Sequence, residues 1–293
     1  MAITNITEIN DISNRIKNRG AFLYHACQLK DFKSYLELGG VPSRNKLHES
    51  GLDFTEFETD YIDKKNSVWD KVFGNFSDFG KNFPREKTKS MPNPYGPIQI
   101  VFDPLVLKSV TDISITLRSA GAKDFHRDNE CLKSSAEIEK IYAHINPEDT
   151  TKDYEKAYIA FSEDLNSRFK KNNCTSPEFN CAIENELLSF NEAIHIIVDN
   201  CEYQGSALIN EIKELIKTKE LTKIKVFERK YYCNIKKTII NELSKIALDK
   251  DCSWKNIINN KDASNELKEW VKNCNEFHYN RFIKYLTLGT IRA

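Results

Sequence analysis

Residues 21–45 read AFLYHACQLKDFKSYLELGGVPSRN, and three structural signals follow one another in them. Ala21 to Cys27 is a short apolar run whose length suits a buried strand. From Leu29 to Leu38 apolar residues stand at 29, 32, 35, 36 and 38, the spacing of a helix that buries one face. Gly39-Gly40 then ends it, because glycine accepts the left-handed backbone that closes a helix. A strand, a helix and a tight turn at Val41-Pro42-Ser43-Arg44-Asn45 are therefore expected in that order.

Working outward, residues 1–20 read as a polar helix, with Ile3, Ile6, Ile9 and Ile12 near one face and a break at Arg19-Gly20. Downstream, Val72 to Phe76 is a strand candidate, followed by a Lys-, Pro- and Asn-rich surface loop over 81–94. Pro97 to Phe102 is a strand by its β-branched content and ends at Asp103-Pro104, while Ile113, Ile115 and Leu117 alternate on a second strand. Residues 136–171 read as helical with a break at Pro147. Strand character returns in Phe179 to Leu188 and again in Ala193 to Val198. Ser206 to Leu221 is an amphipathic helix, Ile224 to Phe227 a strand, and everything after Asn234 looks helical. Strands parted by long helical stretches, without regular βαβ alternation, predict an α+β fold.

The chain has 293 residues, 40% of them hydrophobic and 11% aromatic, enough for a sizeable core. No stretch approaches the roughly 18 consecutive apolar residues that span a bilayer. Glu8, Asp11, Arg15, Lys17 and Arg19 occupy the place of a signal-peptide core, so a cytoplasmic protein without a membrane partner is expected. Eight cysteines are scattered without metal-ligand spacing, which predicts reduced, mostly buried thiols and no metal site. Charges balance at 43 basic and 43 acidic, so no global field advertises a phosphate-rich partner. Locally, 18 basic residues face 11 acidic ones from Ser206 onward, a charge excess that solvated helices absorb.

Leu23-Tyr24-His25-Ala26, a helix, and Gly39-Gly40-Val41-Pro42-Ser43-Arg44-Asn45 resemble the opening of bacterial ADP-ribosyltransferases of the DarT type. RNA 2′-phosphotransferases and the His-Tyr-Glu class of ADP-ribosyltransferases begin in a related way. A second block, Glu184-Asn185-Glu186-Leu187-Leu188 followed by Ala193 to Val198, is similar to the family's late strand and its catalytic Glu. If that block is a strand, Glu184 and Glu186 project together from one face.

The resemblance implies an ADP-ribosyltransferase-like split, bent β-sheet with flanking helices, divided into an N-terminal helix (1–20), the main domain (21–235) and a helical C-terminal extension (236–293). It implies NAD as a consumed substrate, with Glu186 stabilising the oxocarbenium-like state and Glu184 orienting the acceptor. Tyr24, His25, Arg44, Asn45, Phe73 and Asn75 would hold NAD. The acceptor is a nucleic acid or a protein, and relatives of this kind serve as toxins or in phage defence. This chain departs from the family at Glu184, where a Gln is usual, and it has no counterpart of the Arg that precedes the aromatic strand.

Other readings compete. His25 alone suits a satisfied core histidine, and alternating acids suit the wet face of a strand. A polar cluster from Leu117 to Glu130, with His126, Arg127 and Asp128, would line the cleft or form an exposed loop. Asp103 and Glu228 are scattered acids that a metal-dependent nuclease would have to assemble. From a different class comes a non-catalytic module of the same fold that binds a protein partner through its C-terminal helices. Those helices are rich in aromatics such as Trp254, Trp270 and Tyr279, which serve either as anchors or as core.

Overall fold

The computed structural model describes residues 2–56, 60–76, 78, 95–116, 131–138, 177–200, 202–203, 206–229, 237–248, 254–274, 279 and 283. The expectations for 81–94, 117–130 and 139–171 lie outside the described residues. The chain divides into two units: residues 1–25, 30–77 and 100–195 form the first, and 26–29, 78–99 and 196–293 the second.

In the first unit, α1 (Ile6–Asn18) buries Ile9, Ile12 and Ile16 against the 3-10 turn Pro104–Ser109 and the strand Val110–Thr116. Its start is capped by Asn5, whose side chain accepts from the backbone of Thr7 and Glu8. The four isoleucines do not share a face. A spacing of three falls about 60° short of a full turn at each step, so Ile6 is 53% exposed, whereas Ile3 leaves the helix and bridges Ile113.

Strand β1 (Leu23–Cys27) and helix α2 (Leu29–Leu38) follow as the sequence predicts, with Phe32, Tyr35 and Leu36 buried. Gly39 stops the helix at φ +84°. Then come β2 (Gly40–Pro42), α3 (Arg44–Glu49), α4 (Asp60–Lys65), β3 (Val72–Asn75), β4 (Ile98–Phe102), β5 (Val110–Thr116) and β6 (Glu178–Ile183). β7 (Leu187–Ser189), β8 (Ala193–Asp199), the short β9 (Glu202–Tyr203) and β10 (Ser206–Ala207), α5 (Leu208–Thr218) and β11 (Lys225–Arg229) complete the sheets. Seven strands form one sheet in the order β11-β8-β4-β1-β3-β6-β5, while β9–β10 and β2–β7 form small antiparallel pairs. The fold is α+β.

Register sorts the sheet residues by face, because directly paired residues point the same way. Tyr24 opposes Asn75, Phe73 opposes Asn180, and Asn180 opposes Ser114. The opposite face carries Val72, Gly74, Phe179, Cys181, Ile113 and Ile115, and it is apolar. By alternation Leu23 and His25 belong to that apolar face.

In the second unit α5 buries Leu208, Ile212 and Ile216. Helices α6 (Lys237–Leu248), α7 (Trp254–Asn259) and α8 (Asn265–Asn273) share a core of their own built from Leu243, Ile257, Leu267, Trp270, Val271 and Tyr279. Trp270 and Tyr279 are buried there, and the Trp254 indole donates to the Val271 carbonyl at 3.0 Å.

Candidate functional site

One expectation fails in a way that defines the site. Glu184, Asn185 and Glu186 are not strand. β6 ends at Ile183, and the three residues form a 3-10 turn in which Asn185 and Glu186 have φ of +59° and +51°. Glu184 and Glu186 therefore do not project together by strand alternation; Glu184 is exposed and Glu186 half-buried. Asparagine tolerates the left-handed region, but for Glu186 that conformation costs about 1–2 kcal/mol.

What holds Glu186 there is the β2–β7 pair. Gly40 opposes Ser189, Val41 opposes Leu188 and Pro42 opposes Leu187. One further step brings Ser43 opposite Glu186, and the Ser43 N–H donates to the Glu186 carbonyl at 2.9 Å. The Ser43 hydroxyl donates to the carboxylate, and the Asn45 amide reaches both of its oxygens at 3.3 and 3.4 Å. Glycine is required at 40, since a Cβ there would lie 2.2 Å from the Leu188 carbonyl oxygen. The two sequence blocks, more than a hundred residues apart, thus meet at one carboxylate.

Ser43 also caps α3, its hydroxyl accepting from the Lys46 N–H at 2.9 Å. Ser43 belongs to the motif but is not among the residues the resemblance implies for the site. The serine before a short helix is a readable cap signal; its partner across the ladder is not readable from sequence.

Arg44 points into a different set of contacts. Its Nη2 donates to Asp60 at 2.8 Å and to the Thr55 carbonyl at 2.7 Å. The guanidinium carbon lies 4.8 Å from the Phe54 ring centre and 5.9 Å from that of Trp69. Thr55 is itself tied to α2, its N–H donating to Asp31 at 2.6 Å, and the Asn45 N–H donates to the Trp69 carbonyl at 2.9 Å. Asp63 on the same helix as Asp60 is pushed up to about 6, by burial first and by the Asp60 charge second, while Arg44 pulls the other way.

His25 is held as a neutral imidazole. Burial lowers its pKa to about 4, and the charge of Arg44 adds to the shift. Its Nδ1 lies 2.8 Å from the Phe73 carbonyl, which can only accept, so the proton sits on Nδ1. Nε2 is then the acceptor for the Tyr35 hydroxyl at 3.3 Å. Tyr24, Phe73 and Asn75 share the polar face of the sheet, opposite to the one that alternation gives His25. The structure therefore joins Glu186 to Asn45 and His25 to the backbone carbonyl of Phe73, and separates the side chains of Tyr24, Phe73 and Asn75 from that of His25 by sheet face.

Among the other candidates, Asp103 caps the 3-10 turn after β4, accepting from the Leu105 N–H at 3.0 Å, and pairs with Lys17. Among the described residues no group of three His, Cys, Asp or Glu could hold a metal ion. Cys27, Cys131, Cys181 and Cys274 are buried, and burial pushes Cys181 up to about 12. No described helix is long and apolar enough to cross a membrane.

The chain resembles DarT. Thermus sp. 2.9 DarT in complex with ADP-ribosylated ssDNA is similar at 12% identity over 72% of this chain and 95% of that one, with a TM-score of 0.43. The same enzyme in complex with NAD+ and with carba-NAD+ is similar at 13% identity over 72% of this chain, 96% and 97% of those chains, and a TM-score of 0.40 each. No family model and no curated protein matches the sequence.

Proposed function

We propose that the chain consumes NAD, cleaving the bond between nicotinamide and ribose and transferring ADP-ribose to an acceptor. The observation that supports this is the convergence of both motif blocks on Glu186, whose carboxylate takes hydrogen bonds from Ser43 and Asn45. In this reading the C1′–N bond breaks, nicotinamide leaves with the electron pair, and the ribose carbon becomes oxocarbenium-like. A fixed carboxylate beside that developing positive charge lowers the barrier. An oxygen or nitrogen of the acceptor then bonds C1′ and gives up its proton.

The other residues divide the work of binding. His25, neutral and fixed by Phe73 and Tyr35, offers a rigid floor for the ribose. Arg44 supplies positive charge for the pyrophosphate. Asn45 both steadies Glu186 and lies at the mouth of the turn, while exposed Glu184 orients the acceptor. Tyr24, Phe73 and Asn75 lie on the sheet face opposite His25, so their side chains are left out of the contact with the dinucleotide that His25 makes. The acceptor is a nucleic acid or a protein side chain, and a role as a toxin or phage-defence effector in the cytoplasm fits an enzyme that modifies either.

Nicotinamide release from NAD by the purified chain tests the reading, with DNA, RNA and cell lysate offered in turn. Glu186→Gln keeps the shape but removes the charge and one of the two acceptor oxygens, so release should fall by about 100- to 1,000-fold. Absence of release by the unaltered chain with every acceptor would sink the proposal in favour of a non-catalytic binding module.

A further inference from the structure

Ser43, Arg44 and Asn45 are consecutive, and they divide between two tasks. The two outer residues hold the Glu186 carboxylate, while the middle one is bolted in place by Asp60 and the Thr55 carbonyl. We infer that Asp60 is a positioning residue: by fixing Arg44 it sets the Ser43–Asn45 turn and, through that turn, the orientation of Glu186.

The geometry supports each link. The Arg44–Asp60 pair is well shielded, with side-chain exposures of 12% and 19%, where a charged hydrogen bond is stronger than on an open surface. Arg44 cannot swing freely, because its guanidinium lies over the Phe54 and Trp69 rings and the Thr55 carbonyl shares Nη2. Thr55 is in turn anchored on α2 through Asp31. Trp69 closes the circuit, since its carbonyl accepts from the Asn45 N–H, the residue whose amide touches Glu186. On the other side, Ser43 is pinned by its backbone bond to Glu186 and by its cap on α3. Glu186 needs such external support, because its own backbone at φ +51° is a conformation that side-chain-bearing residues avoid.

This inference deepens the NAD-cleavage reading and its kinetic arm rests on that reading; its second arm does not. Asp60→Asn keeps the shape but weakens the grip on Arg44, with Asp60→Glu as the conservative variant. Misorientation of Glu186 should lower kcat for nicotinamide release by roughly 10- to 100-fold while KM moves about two-fold or less, and Asp60→Glu should recover part of the loss. Independently, hydrogen exchange followed on the peptide covering residues 40–49 should accelerate about ten-fold in Asp60→Asn, whereas α5 in the second unit stays at the unaltered rate.

A rise in KM with kcat retained would overturn the inference, because Asp60 would then serve the contact of Arg44 with the pyrophosphate and not the orientation of Glu186. Unchanged exchange in 40–49 would overturn it as well. If the unaltered chain releases no nicotinamide, the NAD reading fails while exchange alone decides the positioning role, so the two failures are told apart.

Discussion

Two arginines, one in each unit, show how the same pairing serves different ends. Arg229 in the second unit donates Nε to Asp199 at 2.6 Å and Nη1 to Asp78, and both carboxylates are 5% exposed at the side chain. Arg44 in the first unit donates to the Asp60 carboxylate and to the Thr55 backbone carbonyl, and it lies against the Phe54 and Trp69 rings. Arg229 sits between two buried acids at a strand end, where its removal strands two charges. Arg44 sits between two residues that grip a third group, where its removal disturbs an orientation. The difference lies in the neighbours rather than in the ion pair.

The largest effect that can break this comparison is on stability. Arg229→Met leaves Asp78 and Asp199 buried without their cation, which should cost about 3–5 kcal/mol in urea unfolding at neutral pH. Arg44→Met removes the hydrogen-bonded cation from Asp60, which is less buried than Asp78 and Asp199, and should cost less. A larger loss at Arg44 than at Arg229 would mean that the first unit depends on its arginine structurally, against the division of labour argued here. Protonation adds a check: Asp199 is raised to about 6 by burial first, with Arg229 holding it down, so without Arg229 it protonates at higher pH still and the Arg229→Met deficit should already shrink as pH falls toward 6.

The next effect is smaller and confined to the first unit. Asp63 has a folded pKa of about 6, raised chiefly by burial, against an ordinary value of 3.8. A carboxyl with a raised folded pKa favours the folded state below its unfolded pKa, and that advantage is lost as pH climbs from about 4 to 6. Asp63→Asn removes the charge that burial disfavours. It should therefore match the unaltered chain near pH 4 and exceed it by up to ~2 kcal/mol above pH 7. His25 runs the other way. Its folded pKa of about 4 lies below 6.5, so its contribution is complete above pH 6.5 and lost as pH falls toward 4. A stability profile of Asp63→Asn that parallels the unaltered one across pH 4–7 would sink the assignment to Asp63.

Much of this arrangement was legible in the sequence, and the parts that were not share a physical cause. The run Ile98 to Phe102 announces a buried strand by its β-branched and aromatic residues, and Leu208, Ile212 and Ile216 announce the face of α5. Gly39 was readable as a helix stop because left-handed backbone is what glycine supplies. Glu184-Asn185-Glu186 misleads because its alternation mimics a strand, while its real conformation is set by the β2–β7 ladder far along the chain. Asp60 and Trp69 carry no local signal at all. They lie beyond the turn in a charged, irregular stretch, and they matter only because folding delivers Arg44 and Asn45 to them. Local signals were readable; partnerships closed by the fold were not.

The finest test of the contrast concerns the aromatic side of Arg44. Trp69 receives a second cation, Lys64, whose ammonium lies 4.3 Å from the ring centre. The lysine is exposed, so its attraction to the ring is worth about 0.5–1 kcal/mol and is weakened by water. Lys64→Met keeps the methylene stem over the indole but removes the charge. If Trp69 chiefly packs against Arg44 and presents its carbonyl to Asn45, the variant should lose no more than ~1 kcal/mol in urea unfolding. Exchange in residues 40–49 should also stay unchanged. A change in that exchange as large as the one expected for Asp60→Asn would show that the ring, rather than the Asp60 carboxylate, governs the turn that holds Glu186.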